Sequence, residues 1–336
     1  MTHSWQAPRL GADERILRVG AIGCGAQATT AIWPELPGAG FALEAVCSRT
    51  IEHARDAAGR FGVTRVFDDA ARMLDEVALD ALVVVVPEDA FAPYIRLAVE
   101  RRLPGFVEKP AATSPAEAEE LASLATAAGV DIVVGYQKRF AGAYKRAKAL
   151  VADDAFGRPT LASFKWAMGP FLRRFDLRGW LFENPVHHFD LARFFLGELS
   201  DLRVLKTEAA GEFSVVVAGV SDSGAIFSVC ANTTASWEQQ NEAVEIFGEG
   251  SSVAVENVDT CIFRPAEGPE ETWRPNYTVP AYRNLSGETL GFGAELLHFR
   301  SVVTGEARPE SDLENAAATL RLADEIANLA AGRNQR

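Results

Sequence analysis

The stretch Leu17-Arg18-Val19-Gly20-Ala21-Ile22, running into Gly23-Cys24-Gly25-Ala26-Gln27-Ala28, decides the fold of the first part of the chain. Residues 16–22 predict a strand and 26–33 a helix. A Gly-x-Gly-x-x-Ala turn between a strand and a helix is the context in which such glycines serve a dinucleotide. Gly23 permits the tight turn, Gly25 lets the backbone approach a pyrophosphate, and Ala28 lets helix and strand pack closely. The helix start offers free N–H groups and the positive end of its dipole to phosphate. A plain strand-to-helix turn is the plainer alternative.

The segments beyond the turn keep the same alternation. Strands are predicted over 41–47, near Val66, and over 82–86, 105–107 and 132–135. The run over 82–86 is apolar without relief, as a central parallel strand buried on both faces requires. Helices are predicted over 51–61 and 90–101, and another opens at Ser114-Pro115-Ala116-Glu117, a capping box with proline in the first helical position. Strand-helix alternation with short connections implies a doubly wound parallel sheet.

After Tyr136 the rhythm changes. Helices over 140–151 and 187–196 flank strand-like runs over 160–168, 212–220, 225–232, 243–248, 252–258 and 260–264. Turns at 221–224 and 248–251 join neighbours as in antiparallel hairpins. Two helical patterns, 292–303 and 313–330, end the chain. The fold class expected is therefore α/β: a doubly wound domain over residues 1–136, then an α+β domain over 137–336 with a mainly antiparallel open sheet. The C-terminal helix is expected to pack back on the first domain.

The 336 residues suit two domains, and 48% hydrophobic with 24% charged residues fits a globular chain throughout. A formal net charge of −13 repels phosphate backbones and anionic lipid, so neither nucleic acid nor a membrane is expected as partner. The longest apolar run is far shorter than a bilayer span, and the N-terminal residues show no leader-like apolar region. The four cysteines, Cys24, Cys47, Cys230 and Cys261, are scattered without metal-ligand spacing. These features predict a cytoplasmic protein with reduced thiols and no metal.

About twenty residues after the glycine turn, a fold selective for NAD places an acidic residue on the ribose 2′-hydroxyl. This chain has Val46-Cys47-Ser48-Arg49-Thr50 instead. A hydroxyl and a guanidinium suit a dianionic 2′-phosphate, so NADP(H) is favoured, with NAD(H) as the alternative. The plainer reading makes Arg49 a solvated residue at a helix start.

Further motifs follow in order: Phe61-Gly62-Val63, the apolar strand into Pro87, Val107-Glu108-Lys109-Pro110, His187-x-x-Asp190 and the closing 292–330 pattern. With the glycine turn, this series resembles the Gfo/Idh/MocA oxidoreductases over almost the whole chain, the family of glucose–fructose oxidoreductase and inositol dehydrogenase. The resemblance implies a Rossmann domain, a nicotinamide cofactor and hydride transfer to or from a secondary alcohol or ketone of a sugar, cyclitol or related polyol. Lys109, at the carboxyl end of a strand, would polarise the substrate oxygen. Glu108 would fix the turn or the lysine, and Pro110 would set the backbone, often through a cis bond in this family. Cofactor contacts are thus expected from Gly23, Gly25, Ala26, Gln27, Ala28, Ser48, Arg49, Pro87, Glu108 and Lys109.

Asn184-Pro185 reads as an N-cap followed by proline, which places His187 in a first helical turn. The dipole there favours a neutral imidazole able to act as a general base. Asp190, three residues on, could orient it. Two departures from the family pattern stand out. Where the family has Asp-x-Gly-x-His, this chain has Glu183-Asn184-Pro185-Val186-His187, so Glu183 would replace the aspartate as proton-relay partner. Where the family has Pro-Asn-x-x-His, it has Pro87-Glu88-Asp89-Ala90-Phe91, so those functions do not carry over to Glu88 and Phe91.

Gln137 and Arg139 in Gly135-Tyr136-Gln137-Lys138-Arg139-Phe140 are expected at the substrate, as are Trp180 and His188. The stretch from Phe171 to Trp180 mixes three arginines with aromatics and could cover substrate, with Trp180 as a stacking face; a solvated loop is the equal alternative. Trp166, Trp237 and Tyr282 are expected in sheet packing. By analogy with the family, the open sheet face would pair subunits into a homodimer or homotetramer. Two other readings are a non-catalytic dinucleotide-binding regulator and a nicotinamide-dependent glycoside hydrolase.

Overall fold

The computed structural model describes residues 15–170, 175–239, 241–275 and 285–332. Phe171, Leu172, Arg173, Arg174 and Tyr282, singled out above, lie outside the described residues. The chain divides into two compact units: residues 15–137 with 285–318, and 138–275 with 319–332.

In the first unit, strands β1 (Leu17–Ile22), β2 (Phe41–Cys47), β3 (Arg65–Phe67), β4 (Ala81–Val84), β5 (Gly105–Glu108) and β6 (Ile132–Gly135) form one sheet. Its order is β3-β2-β1-β4-β5-β6, and every pairing is parallel. Helices α1 (Ile51–Phe61), α2 (Ala70–Glu76), α3 (Phe91–Glu100) and α4 (Pro115–Ala128) connect the strands. β4 and β5 are buried at every position, which is why β4 reads as an unrelieved apolar run. Ser114 caps α4 by accepting from the Glu117 amide at 3.2 Å. The Glu117 carboxylate reaches back to Thr113 rather than to Ser114, accepting from its N–H at 2.7 Å.

The helix expected over 26–33 differs from its expectation. Ala28–Ile32 forms a π-helical turn and Trp33–Glu35 a 3-10 turn. Pro34 has no N–H to continue an α-helix, and the Thr29 and Thr30 hydroxyls bond to the carbonyls of Gly25 (3.1 Å) and Ala26 (2.7 Å). The Trp33 N–H therefore reaches back five residues, to Ala28. Tertiary packing holds this short helix: Ala28, Ile32 and Trp33 are buried in the main apolar core.

Helices α8 (Leu285–Leu290) and α9 (Phe292–Val303) belong to this unit although they lie near the end of the sequence. Phe292, Leu296, Phe299 and Val302 enter the core beside Val19, Phe41 and Phe106. Phe299 stacks on Phe41 with ring centroids 5.5 Å apart. The buried Arg300 guanidinium donates to the carbonyls of Gly40 (3.1 Å) and Arg15 (2.7 Å). The Ser311 hydroxyl and carbonyl bond to Val134 on β6 (2.8 and 2.7 Å).

The second unit begins with α5 (Gly142–Val151), β7 (Leu161–Ala167), α6 (Leu177–Glu183) and α7 (Val186–Leu196). Seven further strands follow: β8 (Leu199–Ala209), β9 (Glu212–Ser221), β10 (Ile226–Asn232), β11 (Asn241–Phe247), β12 (Ser252–Glu256), β13 (Thr260–Arg264) and β14 (Glu271–Trp273). The sheet order is β14-β13-β12-β11-β7-β10-β9-β8, antiparallel except where β7 meets β10. Helix α10 (Leu313–Gly332) closes the described chain. β8 escaped the sequence reading because it is an edge strand on which Leu202 and Val204 alone are buried. α6 also went unforeseen, and it changes the next joint. Asn184 closes α6 by donating its N–H to the Trp180 carbonyl (3.0 Å), and Pro185, not Asn184, caps α7.

Candidate active site

Gly23 has φ +96°, and a Cβ there would lie 1.9 Å from the Val85 carbonyl oxygen, so the turn closes only with glycine. Gly25 differs: no heavy atom lies within 4 Å of where its Cβ would be. The protein's own packing therefore does not require glycine at 25, whereas a ligand resting on that backbone does. Gly25, Ala26 and Gln27 are exposed and Ala28 is buried, so the turn presents its backbone outward while the helix packs inward. This arrangement fits a dinucleotide pyrophosphate. The Cys24 thiol within the turn is pushed up to about 11 by burial, so it stays a protonated bystander at neutral pH.

β5 ends next to this turn. The Gln27 side chain donates to Glu108 Oε1 (3.3 Å), and the Lys109 backbone N–H donates to Glu108 Oε2 (3.2 Å). The carboxylate thus ties the glycine turn to the lysine that follows it. Lys109 is half-buried, and the Lys109–Pro110 peptide is cis. Gly135 on β6 pairs with Glu108, and a Cβ there would press within 3.2 Å of Glu108 Oε2. Ser48 and the exposed Arg49 follow the carboxyl end of β2. Pro87 is exposed after β4, whereas Phe91 opens α3 as a fully buried core residue.

In the second unit, His187 is half-buried in the first turn of α7, and the half-buried Glu183 is the last residue of α6. Asp190 is committed elsewhere. Its two oxygens accept from Nε and Nη2 of Arg139, each at 2.6 Å, and both residues are buried. Asp190 as the orienter of His187 and Arg139 as a substrate contact both give way to this internal ion pair. Trp180 is 1% exposed and stacks on Phe213 at 5.5 Å, so it offers no face to a sugar. His188 is fully buried with Nε2 3.5 Å from Glu242 Oε1, so it is also out of reach of substrate. Burial, the largest influence on it, holds His188 below the usual imidazole range and keeps it neutral despite that carboxylate. Gln137 sits half-buried at the start of the turn Gln137–Phe140. Trp166 packs in the sheet as expected, but Trp237 does not. It lies in the loop after β10, 47% exposed, with its indole N–H on the Pro170 carbonyl (2.7 Å).

Two acidic residues were missed. Glu242 lies on the inward face of β11 in register with Val244 and Ile246. There it accepts from the Tyr144 hydroxyl (2.7 Å) and pairs with the Lys138 ammonium. Glu295 is fully buried on α9 between core positions Phe292 and Phe299. The available signal was an acid standing at an apolar position of the local period, since a buried charge requires partners.

Residues 17–136 match the family model described as an oxidoreductase family with an NAD-binding Rossmann fold. Inositol 2-dehydrogenase 4 of Saccharopolyspora erythraea is 30% identical over 55% of this chain, and the match spans only 56% of that protein's length. A dehydrogenase structure from Chromobacterium violaceum superposes with TM-score 0.87 at 24% identity, covering 96% of this chain and 97% of that one. A levoglucosan dehydrogenase solved with NADH and L-sorbose superposes with TM-score 0.80 at 20% identity, covering 95% and 98%. Among the described residues, no helix is long and apolar enough to cross a membrane.

Proposed function

We propose that this chain is a Gfo/Idh/MocA-type oxidoreductase, the family its Rossmann domain matches, and that it interconverts a secondary alcohol and a ketone of a sugar, cyclitol or related polyol. The observation carrying this reading is the join of the open Gly25 cradle to Lys109 through Gln27 and Glu108. A bound nicotinamide supplies the hydride acceptor or donor. Lys109 hydrogen-bonds the substrate oxygen and stabilises the negative charge that develops on it. His187 takes the hydroxyl proton in oxidation and returns it in reduction, and Glu183 relays that proton. Gln137 contacts substrate.

A polyhydroxylated substrate is supported by the relative named inositol 2-dehydrogenase and by the neighbour solved with L-sorbose. NADP(H) is preferred over NAD(H), because Ser48 and Arg49 stand where a 2′-hydroxyl reader would carry an acid. The outer face of β7, β10, β9 and β8 exposes Leu161, Ile226, Val216 and Leu205, and a second copy of the chain covers it. A monomer by light scattering would remove that last point.

Assay of the purified protein on a panel of cyclitols, aldoses and ketoses with each dinucleotide tests the reading. Turnover with NADPH or NADP⁺ is expected to exceed that with the non-phosphorylated form, and Arg49→Glu is expected to reverse the order. Tight dinucleotide binding without turnover on any polyol would favour a non-catalytic role.

A further inference from the structure

Ser48 and Arg49 do not stand alone at the carboxyl end of β2. β3 runs parallel beside it with Cys47 in register with Phe67, and the Ser48 N–H donates to the Phe67 carbonyl (3.1 Å). Asp68 and Asp69 follow Phe67, and both are exposed. Neighbouring strands stand about 4.8 Å apart, so Asp68 leaves the sheet beside Ser48. A phosphate held at Ser48 and Arg49 would therefore face carboxylates at close range, and that repulsion opposes its binding.

Arg72, in the first turn of α2, meets this difficulty. Its guanidinium lies over the Phe67 ring, 5.4 Å from the centroid, which places it at the end of β3. Its Nη2 is 3.5 Å from Asp68 Oδ1, and its Nε is 3.6 Å from Glu76 Oε1. The Arg72 backbone N–H donates to Asp69 Oδ1 (2.7 Å), the cap contact that opens α2. The cap and the ring thus locate the guanidinium. Its two charge contacts are long and their partners exposed, so they hold it weakly. A guanidinium carries five N–H donors in a planar fork, enough to serve a second anion beside Asp68.

We propose that Arg72 is a specificity-determining residue for the phosphorylated dinucleotide. It binds the 2′-phosphate from the β3 side while Arg49 binds it from the β2 side, and it neutralises Asp68. The inference rests on the NADP(H) preference proposed above. It supplies the second positive charge that a dianionic phosphate calls for. An uncharged residue at 72 would leave Asp68 as an acidic group near the ribose, the feature of a fold selective for NAD.

The test uses full-length wild type, Arg72→Gln and Arg72→Lys. Dissociation constants for NADPH and NADH are read by nucleotide fluorescence and that for 2′,5′-ADP by calorimetry, with thermal unfolding beside them. Arg72→Gln is expected to bind NADPH and 2′,5′-ADP about 10-fold more weakly, the worth of one charge-assisted hydrogen bond. It is expected to bind NADH as tightly as wild type or more so. Arg72→Lys, which keeps the charge without the fork, is expected to fall between the two. A purely structural role would weaken NADPH and NADH together. Equal losses for both dinucleotides, or unchanged NADPH affinity in Arg72→Gln, would overturn the proposal, while a wild-type preference for NADPH would leave the cofactor reading standing. A wild-type protein that binds NADH as tightly as NADPH would overturn that reading, and the inference with it.

Discussion

The two units each gather polar side chains around one carboxylate, but only the first does so beside a turn whose shape is set locally. In the first, Gln27, Glu108 and Lys109 come from two short segments at the carboxyl ends of β1 and β5, and a single carboxylate joins them. In the second, Lys138, Tyr144 and His188 converge on Glu242 from separate elements. The Lys138–Glu242 and Tyr144–Glu242 contacts span 104 and 98 residues of sequence. The Gln27–Glu108 contact itself spans 81 residues, so what is local in the first arrangement is the shape of the turn, sharp at Gly23 and open at Gly25. The second follows from the tertiary fold, and nothing near Glu242 in the sequence announces its partners.

The largest effect should come from breaking the second cluster. Glu242→Gln leaves the Lys138 ammonium buried without its counter-charge, and a loss of about 3–5 kcal/mol in urea unfolding is expected. Burial alone would raise the Glu242 carboxyl, but the Lys138 ammonium beside it more than reverses this and holds it below the usual carboxylate range. A carboxylate depressed in the folded state stabilises fully above its unfolded pKa of about 4.3 and loses that contribution as pH falls toward the folded value. Wild-type stability should therefore drop steeply below about pH 4, while Glu242→Gln should show a shallower acid limb. Parallel acid limbs would mean that Glu242 is not the charged hub.

The two glycines of the turn sharpen the contrast inside the first unit. Gly23→Ala places a methyl against the Val85 carbonyl at a positive φ, so a clear loss of melting temperature is expected. Gly25→Ala places its methyl in open space. Stability should change by less than about 1 kcal/mol, while dinucleotide affinity should fall about 10- to 100-fold through lost backbone–phosphate contacts. If both variants lost stability alone, the turn would be structural and the cradle reading would fail.

This contrast also explains what was legible in the sequence. The parallel sheet, the hairpins at 221–224 and 248–251 and the Ser114 cap follow from local period and turn chemistry, and each appears close to its expected residues. The glycine turn was legible for the same reason, although the helix after it was not, because Pro34 and two threonine hydroxyls reshape it. Trp180, His188, Arg139 and Asp190 were misjudged as site residues for one shared reason. Composition and spacing show that a polar or aromatic side chain is present, but not whether the fold buries it against a partner distant in sequence. Glu295 is the converse case, an acid whose place on an apolar helix face is visible in the sequence while its complete burial in the fold is not.

In the proposed reaction Lys109 and His187 carry the polyol chemistry while the glycine turn holds the dinucleotide. Single-turnover rates for Lys109→Met and His187→Ala, measured beside their NADPH dissociation constants, test it most directly. Losses of about 100-fold or more in hydride-transfer rate are expected for each variant, with NADPH affinity within about 10-fold of wild type. Turnover that survives both substitutions would contradict it.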